Sequence, residues 1–164
     1  MSDNIIQAIG QYLTFSIENE KYAIDVSKVK EVLELVPITK VPKTPPFMRG
    51  VINLRGGVVP VIDMRLKFGL PAVEPTVDTS IIVLEVKVND ETIVLGAITD
   101  SVQEVIELLS ENIEPPPRIG TKLNTDFIHG MGKHNEQFLI ILNIDKVFTS
   151  EELVPTLVEQ GETE

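Results

Sequence analysis

Apolar residues in this chain fall mostly in short runs with alternating or continuous β-branched character, cut by polar turns, and helical periodicity is scarce. Tyr12 to Ile17 and Tyr22 to Asp25 read as two strands joined by the polar segment Glu18-Asn19-Glu20-Lys21, and Thr79 to Val88 and Thr92 to Thr99 as two more joined by Asn89-Asp90-Glu91. Strand-length apolar runs separated by Asn- and Asp-bearing turns predict hairpins. Val26, Val29, Leu33 and Val36 stand at helical spacing, but the β-branched content and the stop at Pro37 favour extended chain, so one helical turn followed by a strand is expected there. Gly50 to Ile62 is rich in Val and Ile, after which Asp63 is placed to cap a short helix through Phe68 ending at Gly69; Asn143 repeats the cap. Leu70 to Asp78, with Pro71 and Pro75, reads as a linker, and Ser150 to Val158 as the start of a short, proline-distorted C-terminal helix with a frayed end over 160–164.

The pattern repeats. Val29-Lys30-Glu31-Val32-Leu33-Glu34-Leu35 recurs as Val102-Gln103-Glu104-Val105-Ile106-Glu107-Leu108, 73 positions later. Phe47-Met48-Arg49-Gly50 matches Phe127-Ile128-His129-Gly130 at a spacing of 80, and that register runs on through Asp63 and Asn143 to Phe68 and Phe148. The seven extra residues of the second copy fall around Pro115-Pro116-Pro117, where a loop lengthens at little cost. Two copies of one β unit therefore predict two small barrels of about five strands each, packed on one another. Their expected boundaries are about 11–72 and 76–150, with strand exchange at the boundary left open.

Composition sharpens this picture. Val and Ile number 39 against 19 Ala and Leu in 164 residues, an all-β balance. A net charge of −11 argues against a nucleic-acid partner, whose binder needs Lys and Arg to neutralise phosphates, and disfavours anionic membrane surfaces. With no cysteine there is no disulfide framework and no thiolate chemistry, as suits a reducing cytoplasm; the chain opens without a secretory leader pattern, and its longest apolar runs are strand-sized, so no membrane insertion is expected.

Catalytic signals are weak. His129 and His134 with Asp126 could be read as a metal-assisted hydrolase site, but a glycine-rich solvated loop accounts for them, since His129 aligns with Arg49. Gly132-Lys133 fails as a phosphate loop because Phe127 stands where its first glycine is required and no Ser or Thr follows the lysine. The carboxylate pairs Glu31/Glu34 and Glu104/Glu107 read as solvated faces of a duplicated element, and there is no nucleophile elbow. No catalytic residue, metal or cofactor is expected, and a binding role fits better.

Duplicated halves share what the fold needs, so divergence points to function. The clearest divergence is Asn53-Leu54-Arg55-Gly56-Gly57 against Lys133-His134-Asn135-Glu136-Gln137. The glycines permit a tight turn, and Arg55 offers a planar donor fork for a carboxylate or for carbonyls of a partner or of its own chain. Charge divides as well: residues 1–70 carry nine basic and seven acidic side chains, net +2, and 71–164 carry five and eighteen, net −13. Two electrostatically distinct faces suit two partners or head-to-tail association, and equally simple solubility.

The runs Phe15-Ser16-Ile17-Glu18 to Tyr22-Ala23-Ile24-Asp25-Val26, Arg49-Gly50-Val51-Ile52-Asn53-Leu54-Arg55-Gly56, and Val59-Pro60-Val61-Ile62-Asp63-Met64-Arg65, with Asp100-Ser101-Val102 and Ile140 to Lys146, closely resemble the CheW family of chemotaxis coupling proteins over residues 11–150. The resemblance implies two SH3-like β-barrels without catalytic activity, bridging the cytoplasmic tip of methyl-accepting chemoreceptors and the regulatory domain of the CheA histidine kinase at membrane-associated receptor arrays. A CheW-like adaptor of a pilus or biofilm pathway is the alternative. Carried over position by position, Asn53, Leu54, Arg55 and Gly56, with Gly50, are implied receptor-groove residues, and Val29 and Glu31 an implied contact for receptor or kinase. Arg55 is expected in the groove between the barrels, organising it through hydrogen bonds to carbonyls or a carboxylate. The loop Gly130 to His134 and Arg118 after the triple proline depart from the family pattern.

Overall fold

In the computed structural model the described residues are 9–116 and 125–148. Eleven strands account for most of them. The first half supplies β1 (Ile9–Ile17), β2 (Glu20–Asp25), β3 (Val29–Glu34), β4 (Met48–Leu54) and β5 (Gly57–Asp63), then the helical turn α1 (Met64–Lys67). The second supplies β6 (Ser80–Val88), β7 (Glu91–Thr99), β8 (Ser101–Leu109), β9 (Ile113–Glu114), β10 (Ile128–His134) and β11 (Gln137–Leu142), then α2 (Ile144–Val147). The architecture is the expected one, two curled sheets of SH3-like barrel type.

The strands are shared differently from the contiguous boundaries near 72 and 76. One sheet runs β8-β1-β2-β11-β10-β9 and the other β3-β6-β7-β5-β4, so each half lends its opening hairpin to the barrel of the other. β1 pairs antiparallel with β8 as β6 does with β3, and β2 lies parallel to β11 as β7 does to β5. The exchange thus involves two whole strands from each half, and the shared hairpins bind the halves into one unit. β9 makes the first sheet six-stranded rather than five; its counterpart in the other barrel is a single bridge between Thr39 and Val51.

Three apolar clusters follow from this sharing. The largest, with Phe15, Ile17, Met64, Ile82, Leu84, Leu95 and Phe148 almost wholly buried, draws on strands from both sheets together with α1 and α2. Smaller clusters fill each barrel, one around Tyr12, Ile106 and Ile141, the other around Ile52, Val59 and Val61 with Leu33, Ile38 and Leu54 packed against it. Full burial of one such side chain contributes about 1.5–3 kcal/mol, so the large shared cluster is the main reason the barrels stay together.

Local expectations fare unevenly. A 3-10 turn over Val26–Lys28 precedes β3, as the mixed periodicity predicts, capped by Asp25, whose carboxylate accepts from Ser27 N. The repeated segment has no such turn: β8 starts directly at Ser101, and its 3-10 turn, Ser110–Asn112, follows the strand instead. Asp63 caps α1 by accepting from the backbone N–H groups of Arg65 and Leu66, and the helix ends at Phe68 with Gly69 at φ 82°. Asn143 occupies the equivalent position without any side-chain cap hydrogen bond, so the cap is not repeated. The expected C-terminal helix and Arg118 lie outside the described residues. No helix among the described residues is long and apolar enough to cross a membrane.

Candidate functional site

The divergent turn is a two-residue connection between β4 and β5. Arg55 (φ 52°) and Gly56 (φ 83°) both take positive φ, the signature of a type I′ hairpin, whose twist matches that of the flanking strands. Three other hairpins do the same, at Glu18-Asn19, Asn89-Asp90 and Asn135-Glu136, and each places Asn, which tolerates this conformation, at one of the two positions. The β4–β5 turn instead has glycine at its second position and an arginine at its first, where it bears the left-handed strain of about 1–3 kcal/mol that Glu18 and Glu136 bear in their turns.

Two contacts offset that cost. Asn53 Oδ1 accepts from Gly56 N at 3.0 Å, closing the turn from inside. The Arg55 guanidinium forks onto Glu31, with Nη2 donating to Oε1 at 3.0 Å and Nη1 to Oε2. Glu31 sits on β3, and β3 and β4 are the two outer strands of their sheet, so this pair ties its edges together at one rim of the barrel. The structure therefore brings together two residues singled out separately and 24 positions apart. The carboxylate is the acceptor; the bond runs to β3 of the same barrel.

The hydrogen bond from Arg55 holds the Glu31 carboxyl below the usual carboxylate range despite the opposing effect of partial desolvation, with the Arg55 and Lys30 charges adding to it. The pair is therefore ionised at neutral pH. Arg55 remains 71% exposed while Glu31 is 22% exposed, so the carboxylate is mostly covered and the guanidinium presents its outer face to solvent. An arginine has five N–H donors, and the fork engages two, leaving donors for a partner's carboxylate or carbonyls.

The other implied residues have different surroundings. Gly50 is buried, at φ 145°, and a Cβ there would lie 2.1 Å from Thr39 O; it admits the Thr39–Val51 bridge and offers no side chain to a partner. Leu54 packs into the barrel and Val29 against the large shared cluster, across a register shift from Glu31. Asn53 is exposed. The surface feature is thus Asn53, Arg55 and Gly56 held on Glu31, while Leu54 and Val29 serve the apolar clusters and Gly50 the Thr39–Val51 bridge.

A second charged cluster was not singled out from sequence. Arg65 in α1 donates through Nε and Nη2 to Asp100 at 2.9 and 2.8 Å, through Nη1 to Glu18 at 2.5 Å, and is only 13% exposed. It joins the end of β5 to the β1–β2 turn and the β7–β8 junction, hence one sheet to the other. Burial pushes the Asp100 carboxyl up, but the hydrogen bonds from Arg65 and from Glu18 N, with the Arg65 charge, outweigh it and hold the carboxyl low. Under the 80-residue register Arg65 corresponds to Asp145, which accepts from Lys28 Nζ at 2.8 Å and from Lys87 N at 2.9 Å. The two clasps occupy equivalent places with inverted charge. Between them Lys67 lies 5.0 Å from the ring of Phe47 and 5.4 Å from that of Phe127, the repeated phenylalanines. The separations of 35 to 117 residues explain why local patterns gave no sign of the clasps.

Arg49 and Asp63 pair at 2.8 Å, whereas the second half has His129 and Asn143 at those places. Among the described residues no group of three or more His, Asp or Glu could hold a metal ion, so His129, His134 and Asp126 are not brought together as the hydrolase reading requires.

A family model described as a CheW-like domain matches residues 11–152. The chain is 38% identical over 148 residues to the chemotaxis protein CheW of Klebsiella aerogenes, covering 90% of this chain and 87% of that one. To the chemotaxis protein CheW of Bacillus subtilis it is 34% identical over 150 residues, covering 91% and 93%. The crystal structure of the scaffolding protein TtCheW from Thermoanaerobacter tengcongensis superposes with a TM-score of 0.77 at 37% identity, covering 86% of this chain and 93% of that one.

Proposed function

We propose, from the premise that the chain belongs to the family of CheW-like domains, that it is a non-catalytic adaptor coupling methyl-accepting chemoreceptors to the regulatory domain of a CheA histidine kinase. The observation that carries the site assignment is the Arg55–Glu31 fork on an exposed turn. A fold in need only of a turn has Asn at this place, as its second half does. An arginine here, with its carboxylate partner covered and its outer donors bare, is arranged for a partner's acidic or carbonyl groups. In this reading Glu31, Asn53, Arg55 and Gly56 act as one receptor-facing unit, and the protein works in the cytoplasm at membrane-associated arrays.

An adaptor that bound both signalling states of its partners equally would only tether them, since a shift in the kinase equilibrium requires contacts that differ between states. The rigid double barrel provides a fixed geometry across which such differences pass. The test is a calorimetric titration of the protein against a CheA regulatory domain and, separately, a chemoreceptor cytoplasmic fragment from the same cell, at low and high salt. Saturable binding to the kinase domain, and receptor binding that Arg55→Ala weakens at least about tenfold and that high salt reduces, is the expected result. Binding to neither overturns the reading, and binding only to kinases of a pilus or biofilm system moves the adaptor to that pathway.

A further inference from the structure

Two cavities, of about 210 and 150 Å³, open at equivalent places in the two barrels. Arg49 and Asp63 line the first, and His129 and Asn143, their counterparts in the 80-residue register, line the second. Ile98 and Asp25 add a third correspondence: each lies two residues beyond the one, Gly96 or Ala23, that pairs with Val61 or with its counterpart Ile141. The first cavity has a wall that the second lacks among the described residues, because Val73 and Pro75 of the linker pass along it.

The repeat names the missing wall. Phe68 leads into the linker, and its counterpart Phe148 leads into residues 149–164, which lie outside the described residues. Along the same register Val73-Glu74-Pro75-Thr76-Val77 aligns with Leu153-Val154-Pro155-Thr156-Leu157: the Pro-Thr pair is kept, and so are the apolar residues two places before and two places after the proline. Reach is sufficient, since Asn143 at the cavity and Phe148 are separated only by the one-turn helix α2, and the five residues from 149 to 153 span up to about 17 Å. Pro155 biases Val154 toward extended backbone, the course a wall-forming segment takes. The cavity suits such a segment: Ile24, Ile141, Leu142 and Ile144 offer apolar surface, and the Asn143 amide, which makes no cap hydrogen bond, has a donor and an acceptor for an arriving backbone. We infer that Leu153 to Leu157 dock along the second cavity of their own chain as Val73 to Val77 run beside the first, with Leu153 on the apolar surface. The inference is independent of the chemotaxis assignment.

The chain has no cysteine, so Gln160→Cys gives a single site for a nitroxide label just past the segment, and methyl NMR of the full chain reads where the label comes to rest. The Ile24, Ile141, Leu142 and Ile144 methyl signals are expected to lose most of their intensity to the label, while those of Leu35 and Ile98 at the first cavity keep theirs. Leu153→Glu, added to the labelled chain, should restore the four signals and leave the rest of the spectrum unchanged. No loss at the four methyls, a loss spread evenly over both cavities, or a loss that persists in Leu153→Glu would overturn the inference. So would a loss that arises only between copies, read by mixing labelled protein without isotope and isotope-enriched protein without label, since the segment would then belong to a second molecule.

Discussion

The two hairpins that close the barrels have the same backbone and different chemistry. Both are two-residue turns with positive φ at each central residue, Arg55-Gly56 in one and Asn135-Glu136 in the other. The second turn sets a tolerant Asn135 beside Glu136 and the first sets Arg55 beside a tolerant Gly56, but the first is held by Asn53 and by a fork reaching across the sheet edges to Glu31. Each half meets the same fold requirement with one residue strained in the left-handed region, Glu136 in the second and Arg55 in the first, and in the first that residue is an arginine whose outer donors are exposed. The helical turns after β5 and β11 teach a related lesson: Arg65 and Asp145 occupy equivalent places and make clasps of opposite polarity, so duplicated geometry has been kept while pairing has become specific to each half.

These contrasts order the substitutions that test them. The largest effect belongs to Gly50. Gly50→Ala puts a Cβ into Thr39 O at 2.1 Å on a backbone at φ 145°, whereas Gly130→Ala meets the Ile113 side chain at 2.6 Å and Glu114 O at 2.9 Å. Overpacking at Gly130 should cost about 1–3 kcal/mol in urea unfolding, and Gly50→Ala should exceed it by the added backbone strain, again about 1–3 kcal/mol. Equal losses would show that the two barrels tolerate the same close approach.

Next come the clasps. Arg65→Met leaves Asp100 and Glu18 without their shared cation in a mostly covered site and should cost about 2–3 kcal/mol, against about 1 kcal/mol for Asp145→Ala at its more exposed pair. The Asp100 carboxyl is held below its ordinary value of 3.8, so its contribution is complete above that value in the native protein and is lost as pH falls through the lower, native one. The stability advantage of the parent over Arg65→Met should therefore shrink as the pH drops below about 4, and an advantage independent of pH in that range would remove Asp100 from the account. The smallest effect is expected at the opposite hairpin: Asn135→Arg should leave receptor affinity unchanged, because that turn has no counterpart to the Glu31 fork set up for it.

Much of this was legible in the chain and some of it was not. The duplication, the hairpins, the 3-10 turn ahead of β3 and the Asp63 cap follow from local chemistry, in which a few adjacent residues decide the outcome. The exchange of β1 and β2 for β6 and β7 does not, because the two hairpins have nearly the same alternation and present similar edges, so either could complete either barrel by local pattern alone. Asn143 shows the limit of copying a role along the repeat: the residue type suits a cap, yet its side chain makes no such bond. The turn at Arg55 was visible as a divergence, but its tie to Glu31 depends on the curl that brings the sheet edges together, and the Arg65–Asp100–Glu18 cluster depends on the exchanged strands.

The most direct test of the claim that the first barrel's turn is shaped for a partner is Arg55→Asn, which gives that turn the residue found in the second. Receptor-fragment affinity and the unfolding midpoint would be measured on the same preparation. The account predicts binding weakened at least about tenfold with a midpoint unchanged or raised, since Asn accepts the left-handed conformation more readily than Arg. Unaltered binding, or a loss of binding matched by a loss of stability, would contradict it and leave Arg55 a structural clamp.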